Sequence, residues 1–269
     1  MSRAYAEVIG DPIAHSKSPA IHNFWLGKLG INAEYRCCHV GPDELAGYVL
    51  ERRADPDWRG CNVTIPHKQA VLTLLDSIAP DARAIGAVNT VGPCEGGVLL
   101  GRNTDVEGIR RALDGIEVRG QRAVLLGAGG AARAAAFALK QMQPATVTVM
   151  NRSAAKAEQL LTEFQLDGIA LPLGPAPEAE LVINATSLGM GGQPPLPVTL
   201  EQLPAGAAVF DMVYAPLETE LLREARRRRL RTIDGLTMLV GQAAAAFSTF
   251  FGAEPPREHD AELRALLTA

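Results

Sequence analysis

A glycine-rich turn between an apolar strand and an alanine-rich helix constrains the fold of this chain more than any other stretch. An apolar run at 123–126 leads into Gly127-Ala-Gly129-Gly130-Ala-Ala132. In such a Gly-x-Gly-x-x-Ala turn the first glycine permits a tight turn, the second lets the backbone approach a pyrophosphate, and the alanine lets the helix pack against the strand. The stretch therefore predicts a dinucleotide-binding turn, with unpaired N–H groups at the helix start facing the pyrophosphate.

The end of the following strand indicates which dinucleotide binds. A β-branched run at 145–150 predicts a second strand, which ends at Asn151, Arg152 and Ser153, with Lys156 one helical turn further on. NAD-binding folds usually carry an acidic residue here, which binds the ribose 2′-hydroxyl and repels a 2′-phosphate. Because cations and a hydroxyl stand here instead, the sequence predicts NADP(H) rather than NAD(H). The alternative is that Arg152 and Lys156 are solvated residues that open a surface helix.

The second half of the chain alternates between predicted strands and helices. The strands lie near 122–127, 145–150, 180–185, 207–212 and 230–233, and the helices near 131–142, 153–164 and 217–228. This alternation is typical of an α/β fold with a doubly wound parallel sheet. We therefore expect residues 105–235 to form a Rossmann-type NADP-binding domain.

The first hundred residues also alternate and predict a separate α/β domain. Strands are expected at 5–9, 34–40 and 60–65, and helices at 19–29 and 42–53. We expect residues 1–104 to form a substrate-binding domain, completed by the C-terminal helices within 236–269. A helix from Asp105 to Leu113 links the domains, and an apolar helix from Met238 to Phe251 crosses back to the first. This arrangement predicts a cleft between a substrate domain and a cofactor domain.

Charge and composition exclude several classes of partner. The net charge of −4 and the pI near 5.8 give no general attraction to nucleic acid or to an anionic membrane. A basic run at 226–229 is interpreted as the solvated face and C-terminal end of a helix, with a nucleic-acid patch as the alternative. The N-terminus has no apolar signal core, and no uncharged stretch is long and apolar enough to span a bilayer. A cytoplasmic enzyme is therefore expected.

The cysteines and histidines predict no metal site. The four cysteines have no C-x-x-C spacing, and the five histidines show no paired ligand pattern on a helix face. Free, buried thiols are expected at Cys37, Cys38, Cys61 and Cys94. Phe247, Phe250 and Phe251 near the C-terminus are expected to pack internally rather than in a subunit contact.

Lys68 is a candidate proton donor or acceptor. Hydride transfer between a nicotinamide and a carbonyl needs a group that gives or takes the proton of the oxygen. Pro66 is expected to end the preceding strand and to open a helix, which leaves Lys68 near the helix start, at the strand end where open α/β sheets bind ligands. A lysine at a helix N-terminus is electrostatically disfavoured, which favours a functional role, although an ordinary surface lysine is the alternative.

A series of short motifs in a fixed order gives the chain a resemblance to a known family. Together they cover nearly the whole chain and closely resemble the shikimate dehydrogenases of the aromatic amino-acid pathway. The motifs are Gly10-Asp-Pro-Ile-Ala-His-Ser16-Lys-Ser18-Pro19, Asn62-Val-Thr64-Ile-Pro-His-Lys68, Gly86-Ala-Val-Asn89-Thr90, Asn103-Thr-Asp105, the glycine turn, Asn151-Arg152-Ser153, Asn184-Ala-Thr-Ser187-Leu-Gly189-Met190, Asp211-Met-Val-Tyr214-x-Pro216 and Asp234-Gly235-Leu-Thr-Met238-Leu-Val-Gly-Gln242.

The resemblance implies a reaction and the residues that bind the substrate. The reaction is the reversible, NADPH-dependent reduction of 3-dehydroshikimate to shikimate. The resemblance assigns the substrate carboxylate to Ser16 and Ser18. It assigns the substrate hydroxyls and the reacting oxygen to Thr64, Lys68, Asn89, Asp105 and Gln242. Such polar side chains suit a small triol acid, which offers several polar groups and little apolar surface.

The resemblance also implies the cofactor site. It places Thr186 in a loop along the dinucleotide, and it places Met212 to Tyr214, with Gly235 and Met238, beside the nicotinamide and the substrate. The full set of expected NADP(H)-binding residues is Gly127, Ala128, Gly129, Gly130, Ala131, Asn151, Arg152, Ser153, Lys156, Thr186, Met212 and Gly235, with Tyr214 on the substrate side.

Lys68 and Asp105 are the expected catalytic pair. In this interpretation Lys68 delivers the proton to the carbonyl oxygen, and Asp105 holds the ammonium and a substrate hydroxyl in place. The opposite division of roles remains open, because two coupled groups titrate as a unit. A purely structural salt bridge between domains is the other alternative.

Other functions are compatible with parts of the sequence. A quinate/shikimate dehydrogenase of the same superfamily would share the Lys/Asp pair, but such enzymes often use NAD and carry an acid where Ser153 stands. An aminoshikimate dehydrogenase would need only subtle changes of the pocket. A non-catalytic NADP-sensing module is a further alternative, which the presence of both Lys68 and Asp105 disfavours. The partner expected is the small substrate alone, bound by a monomer or a homodimer, with neither nucleic acid nor membrane.

Overall fold

Two six-stranded sheets organise the chain, each in its own compact unit. The structure is a computed structural model that describes residues 3–269. The first unit comprises the residues up to Thr104 together with Gln242–Ala269, and the second comprises Asp105–Gly241. Within residues 3–269, no helix combines the length and the apolar character needed to cross a membrane.

The first unit contains a mixed sheet and its helices. Its elements in chain order are β1 (Ala4–Gly10), α1 (Ser18–Leu29), β2 (Ala33–His39), α2 (Leu45–Arg53), β3 (Trp58–Val63), β4 (Ser77–Ile78), α3 (Pro80–Ile85), β5 (Thr90–Pro93) and β6 (Leu99–Arg102). The strand order is β2-β1-β3-β5-β6-β4. β1 pairs in parallel with β2 and β3, whereas β5 is antiparallel to both β3 and β6. The predicted strands and helices of the first sixty residues are therefore confirmed.

The sequence did not predict the second half of this sheet. Strands β4, β5 and β6 contain only two to four residues each, so they show no hydrophobic periodicity that a window could detect. Their place in the sheet comes from pairing with distant strands, such as Asn62 of β3 opposite Thr90 of β5.

The helix predicted after Pro66 is a short 3-10 helix that begins only at Ala70. β3 ends at Val63, the chain turns through Lys68, and a short 3-10 helix follows at Ala70–Leu74. The backbone bonds before Ala70 account for this late start. The His67 N–H donates to the Thr64 carbonyl (2.9 Å) and closes a turn, and the Lys68 carbonyl accepts from the Val88 N–H (2.8 Å) of another segment.

The second unit has the architecture expected from its sequence. Its elements are α4 (Asp105–Ala112), β7 (Arg122–Leu126), α5 (Gly130–Met142), β8 (Thr146–Met150), α6 (Ala154–Phe164), β9 (Gly168–Leu171), β10 (Leu181–Asn184), β11 (Ala208–Asp211), α7 (Glu220–Arg227), β12 (Arg231–Ile233) and α8 (Gly235–Phe251), which continues into the first unit. All pairings are parallel, in the order β12-β11-β10-β7-β8-β9. This doubly wound sheet confirms the predicted Rossmann-type fold. Only β9 was not predicted.

The carboxyl ends of the central strands of the second unit are aligned in register. Leu126 of β7 lies opposite Met150 of β8 and opposite Asn184 of β10, and Asn184 lies opposite Asp211 of β11. The chain order reverses between β7 and β10, and ligands of open α/β sheets bind outside such a switch point. The residues that follow these four positions therefore emerge at one edge of the sheet.

The C-terminal α9 (Asp260–Thr268) and the end of α8 belong to the first unit. Phe247 is fully buried, Phe250 is 4% exposed, and Phe251 is partly buried. The rings of Phe247 and Trp25 meet edge to face, with centroids 5.4 Å apart. Phe247 and Phe250 thus pack internally as expected, whereas Phe251 is covered only in part.

The expected burial of all four thiols is wrong for three of them. Cys61 is buried, whereas Cys37 and Cys94 are exposed and Cys38 is partly exposed. Cys37 and Cys38 lie near the end of β2, which is an edge strand, so fewer neighbours cover them than cover the central strand of Cys61.

The basic run of α7 and the residues after it is solvated, and acidic side chains offset much of its charge. Arg226 forms an ion pair with Glu218, and Arg227 with Glu224 at 2.6 Å. Both arginine side chains are more than half exposed. These contacts support the interpretation as a solvated helix face, because surface pairs of this kind leave little net positive potential for a polyanion.

His22 is an unusual member of the first unit's core. The ring is fully buried and stacks on Tyr35 with centroids 3.9 Å apart. Neither ring nitrogen has a hydrogen-bond partner among the described residues. Burial lowers the pKa of His22 from 6.5 to about 3, because the charged imidazolium would be desolvated.

His22→Phe should make the protein less sensitive to acid. The unfolded chain takes up a proton near pH 6.5, whereas the folded chain keeps His22 neutral down to pH about 3. The neutral His22 therefore does not lower the free energy of unfolding above pH 6.5. Below pH 6.5 this free energy falls by about 1.4 kcal/mol per pH unit, because only the unfolded chain binds the proton. We expect the variant to lose about 2 kcal/mol less stability than the parent between about pH 7 and pH 5, in denaturant unfolding. The exposed His15→Ala serves as the control, and equal acid sensitivity of His22→Phe and the parent would contradict the expectation.

Candidate active site

The glycine turn of the second unit has the geometry predicted for pyrophosphate binding. Gly127 has φ +105°, in the region that favours glycine, and its N–H donates to the Met150 carbonyl at 2.8 Å. Gly129 is the N-cap of α5, and a Cβ on it would meet no atom within 4 Å. Ala132 is fully buried, as the close packing of helix on strand requires. The start of a 13-residue helix thus faces open space with its N–H groups, which fits an anionic group.

The residues after β8 carry the charges expected beside a 2′-phosphate. Ser153 is the N-cap of α6, and its side chain forms no capping hydrogen bond. The Asn151 amide holds the Ser153 carbonyl at 3.0 Å, which orders the turn. Arg152 and Lys156 are exposed on either side of the cap. The helix start, two cations and a hydroxyl therefore lie together where a phosphate could bind.

Three further predicted residues lie at the same edge of the sheet. Thr186 follows β10, and its methyl group would lie 3.0 Å from a Cβ on Gly127. Met212 follows β11, and its N–H donates to the Asn184 carbonyl at 3.0 Å. A Cβ on Gly235 would overlap the Met212 carbonyl, so glycine is required where α8 begins. Tyr214 lies on the loop that continues from Met212 and is partly buried.

In the first unit, a buried polar network joins two of the predicted substrate-binding residues. Asn89 accepts hydrogen bonds from the Thr104 N–H (2.7 Å) and from the Thr90 hydroxyl (2.9 Å) through its amide oxygen. Its amide nitrogen donates to the Thr104 hydroxyl (3.0 Å) and to the Gln242 side-chain oxygen (3.5 Å). The structure therefore brings Asn89 and Gln242 together, although 153 residues separate them in the chain.

Thr90 and Thr104 belong to this network, and sequence reasoning did not single them out. Asn62 is a third such residue, since its amide donates to the Asn89 carbonyl at 3.2 Å and to the Thr90 hydroxyl at 3.0 Å. All three stand within one or two residues of a predicted site residue, inside the motifs given above. This position in the sequence could have identified them.

The backbone around Lys68 places it beside the same network. The Lys68 carbonyl accepts from Val88, the residue before Asn89, and the Val63 N–H donates to the Asn89 carbonyl at 2.8 Å. Thr64 follows Val63, and its own N–H donates to Ile9 at 2.9 Å. Thr64, Lys68 and Asn89 therefore share one end of strands β1 and β3. The side chains of Thr64 and Lys68 are partly exposed, as a substrate contact requires.

Ser16 and Ser18 lie where the chain enters α1. Ser18 is the first residue of α1 and is buried, and its N–H donates to the Ser16 hydroxyl oxygen at 3.3 Å. Asp105 begins α4 directly after Thr104, whose backbone the Asn89 side chain holds. An acidic residue is favoured in the first turn of a helix. Among residues 3–269, no three His, Cys, Asp or Glu side chains lie close enough to hold a metal ion.

Comparison with protein-family models finds three matches along the chain. The model of the shikimate dehydrogenase substrate-binding domain matches residues 8–91. The shikimate/quinate 5-dehydrogenase model matches residues 110–188, and the model of the shikimate 5′-dehydrogenase C-terminal domain matches residues 235–262.

Relatives match over nearly the full length. The shikimate dehydrogenase (NADP(+)) of Sphingopyxis alaskensis is 53% identical, over 98% of this chain and 97% of its own. The structure of shikimate 5-dehydrogenase (AroE) from Thermus thermophilus, in complex with NADP(H) and shikimate, matches with a TM-score of 0.88 at 40% identity, covering 98% of this chain and 99% of that one. A ligand-free 5-ketofructose reductase of a Gluconobacter species matches with a TM-score of 0.87 at 34% identity, covering 99% of both chains.

Proposed function

The chain belongs to the shikimate dehydrogenase family, and from this premise we propose which of its residues bind and reduce the substrate. It is an NADP-dependent enzyme that reversibly reduces 3-dehydroshikimate to shikimate, a step of aromatic amino-acid biosynthesis. The first unit supplies most of the substrate-binding side chains, and the second supplies the cofactor-binding edge. The observation that carries this proposal is the clustering of the predicted cofactor residues at the switch point of the parallel sheet.

The cofactor residues divide into three groups. The backbone of residues 127–131 binds the pyrophosphate at the start of α5, since this is where the turn leaves open space. Arg152, Ser153 and Lys156 bind the 2′-phosphate, and Asn151 orders their turn. Thr186, Met212 and Gly235 line the path toward the nicotinamide.

Arg152→Ala should raise the KM for NADPH much more than the KM for NADH. The lost contact is a charge-assisted hydrogen bond to a phosphate that only NADPH carries, so we expect an effect of about 10-fold to 100-fold on NADPH alone. Steady-state kinetics with each cofactor measure it. Arg119→Ala, an exposed arginine just before the amino end of β7, is the matched control. Equal changes for both cofactors would overturn the assignment of the phosphate.

The substrate residues match the chemistry of a small hydroxylated acid. Ser16 and Ser18 bind the carboxylate through their hydroxyls. Thr64, Asn89 and Gln242 form hydrogen bonds with the ring hydroxyls, and Tyr214 contributes from the second unit. The support for Asn89 and Gln242 is their shared network, in which each side chain is held at a defined position before a ligand arrives.

Lys68 transfers the proton of the reaction, and Asp105 holds Lys68 and a substrate hydroxyl in place. NADPH, when bound, supplies the hydride. The Lys68 ammonium donates a proton to the carbonyl oxygen during reduction and takes it back from the hydroxyl during oxidation. The Asp105 carboxylate accepts a hydrogen bond from a substrate hydroxyl and holds the ammonium in place.

A kinetic comparison of substrates tests the proposed function. The rate of NADP⁺ reduction is followed by absorbance with shikimate, with quinate and with neither. We expect rapid reduction with shikimate, much slower reduction with quinate, and none without substrate. Preference for quinate would favour the quinate/shikimate alternative, and NADP⁺ binding without turnover would favour a sensing module.

We also propose the setting in which the enzyme works. The reaction takes place in the cytoplasm, and the enzyme acts as a monomer or a homodimer without a nucleic-acid or membrane partner. The net charge of −4 and the acidic partners of the α7 arginines support the part of this proposal that concerns nucleic acid and membranes.

A further inference from the structure

Asp211 is a buried carboxylate that the proposed mechanism does not use. It is the last residue of β11 and only 1% exposed. Burial raises the pKa of Asp211, and hydrogen bonds from Thr219, Val213 and Asn184 oppose that rise. Burying a carboxylate costs free energy unless hydrogen bonds replace its lost hydration. The groups that bind Asp211 therefore indicate its role.

Three donors surround the carboxylate. The Asn184 amide nitrogen (2.9 Å) and the Val213 N–H (3.0 Å) donate to Oδ1, and the Thr219 hydroxyl (2.6 Å) donates to Oδ2. Thr219 itself accepts from the Leu222 N–H at 3.2 Å as the N-cap of α7. The Thr219 hydroxyl can therefore donate its proton to Asp211. In all three hydrogen bonds the Asp211 carboxylate is the acceptor.

The Asn184 amide nitrogen has two acceptors, Asp211 at 2.9 Å and the Leu188 carbonyl at a longer 3.5 Å, and the shorter contact contributes most to the direction in which the amide points. An amide side chain has a donor end and an acceptor end, and a carboxylate can face only the donor end. With its nitrogen toward Asp211, Asn184 directs its oxygen at Thr186. That oxygen accepts from the Thr186 N–H at 3.0 Å and from the Thr186 hydroxyl at 2.7 Å.

The orientation of Asn184 in turn shapes the loop after β10. The Leu188 N–H donates to the Thr186 hydroxyl oxygen at 3.1 Å, so the three bonds at Thr186 close a compact turn. The Ala185 N–H donates to the Leu126 carbonyl at 2.9 Å, which joins this turn to the residue before Gly127. The turn therefore lies directly against the glycine turn at the switch point.

We propose that Asp211 is a positioning residue for NADP(H), which acts by orienting the Asn184 amide so that the Thr186 turn is held against the glycine turn. The inference rests on the proposed assignment of this edge of the sheet to the cofactor. Asp211 does not touch the dinucleotide in this account. Its effect reaches the cofactor through Asn184 and Thr186.

Replacing the carboxylate tests the proposal. In Asp211→Leu, the Asn184 amide nitrogen loses its acceptor at 211, so the turn loses its anchor. In Asp211→Asn, the amide oxygen takes the place of Oδ1 and still accepts from Asn184 and Val213, and only the bond from Thr219 to Oδ2 is lost. We expect the Kd for NADP⁺, measured by calorimetry, to rise about tenfold or more in Asp211→Leu and to stay within about threefold of the parent in Asp211→Asn.

Controls separate the proposal from general damage. Asp167→Asn is an exposed control in the same unit and should leave the Kd unchanged. An unchanged Kd in Asp211→Leu, or a folded Asp211→Asn that binds no better than Asp211→Leu, would overturn the proposal. If Asp211→Leu does not fold, Asn184→Asp takes its place, because it sets a carboxylate opposite Oδ1 of Asp211 and must also raise the Kd about tenfold. A parent protein that binds no NADP⁺ would instead contradict the proposed function, and the inference with it.

Discussion

Lys68→Ala should lower kcat for the reduction of 3-dehydroshikimate by about 10²-fold to 10⁴-fold, the usual contribution of a positioned general acid. Without the ammonium, the developing negative charge on the carbonyl oxygen has no proton donor beside it. The Lys68 backbone is held by Val88, next to Asn89, so the variant keeps the turn and loses only the side chain. Steady-state kinetics at saturating NADPH measure the effect.

The binding of NADPH provides the internal control for this variant. Lys68 belongs to the first unit, whereas all the proposed cofactor residues belong to the second, so the Kd for NADPH should stay within about twofold. Lys28→Ala, which removes an exposed ion pair with Glu262 in the first unit, should leave kcat unchanged. Near-normal turnover of Lys68→Ala would remove Lys68 from the mechanism.

Phe247→Ala should lower the free energy of unfolding by about 3–5 kcal/mol, the usual cost of removing a buried phenylalanine ring. Phe247 is fully buried, and its ring meets Trp25 of α1 edge to face and lies 5.8 Å from the ring of His22. The substitution leaves a cavity between the end of α8 and α1, which cannot collapse without moving a helix. Urea unfolding of parent and variant gives the difference.

A neighbouring phenylalanine gives the comparison for this loss. Phe251 lies one helical turn later and is only partly buried, so Phe251→Ala should cost clearly less than Phe247→Ala. A smaller loss at Phe247 than at Phe251 would show that the C-terminal segment is not part of the first unit's core.

Local chemistry explains why the cofactor edge could be predicted from the sequence. Gly127 needs a backbone conformation that favours glycine, and Ala132 must be small because it is fully buried. Both requirements show in the residue types of one short stretch of sequence. The strands that follow are long enough to show their β-branched runs. The parallel order then places Asn151, Thr186 and Met212 at one edge without further information.

The network of the first unit could not be predicted in the same way. Gln242 meets Asn89 only because the end of the chain returns to the first unit, and no local pattern encodes that contact. The late start of the helix after Pro66 could not be predicted for the same reason, since the Lys68 carbonyl accepts from Val88 of another segment. Motif order, through the family resemblance, identified these residues where periodicity could not. The comparisons confirm that resemblance.

The fold alone would not have fixed the substrate. A 5-ketofructose reductase shares this architecture at a TM-score of 0.87, so related chains act on different carbonyl compounds. The choice of substrate therefore depends on side chains, among which the two serines at the start of α1 and the Asn89 network are the strongest candidates here.

The most direct test of the account follows the hydride itself. The enzyme is incubated with 3-dehydroshikimate and NADPH that carries deuterium at both positions of the reacting nicotinamide carbon, and the product is analysed by mass spectrometry and NMR. The account predicts shikimate with one deuterium on the carbon that was the carbonyl. Recovery of unreacted 3-dehydroshikimate, or of a product without deuterium at that carbon, would contradict it.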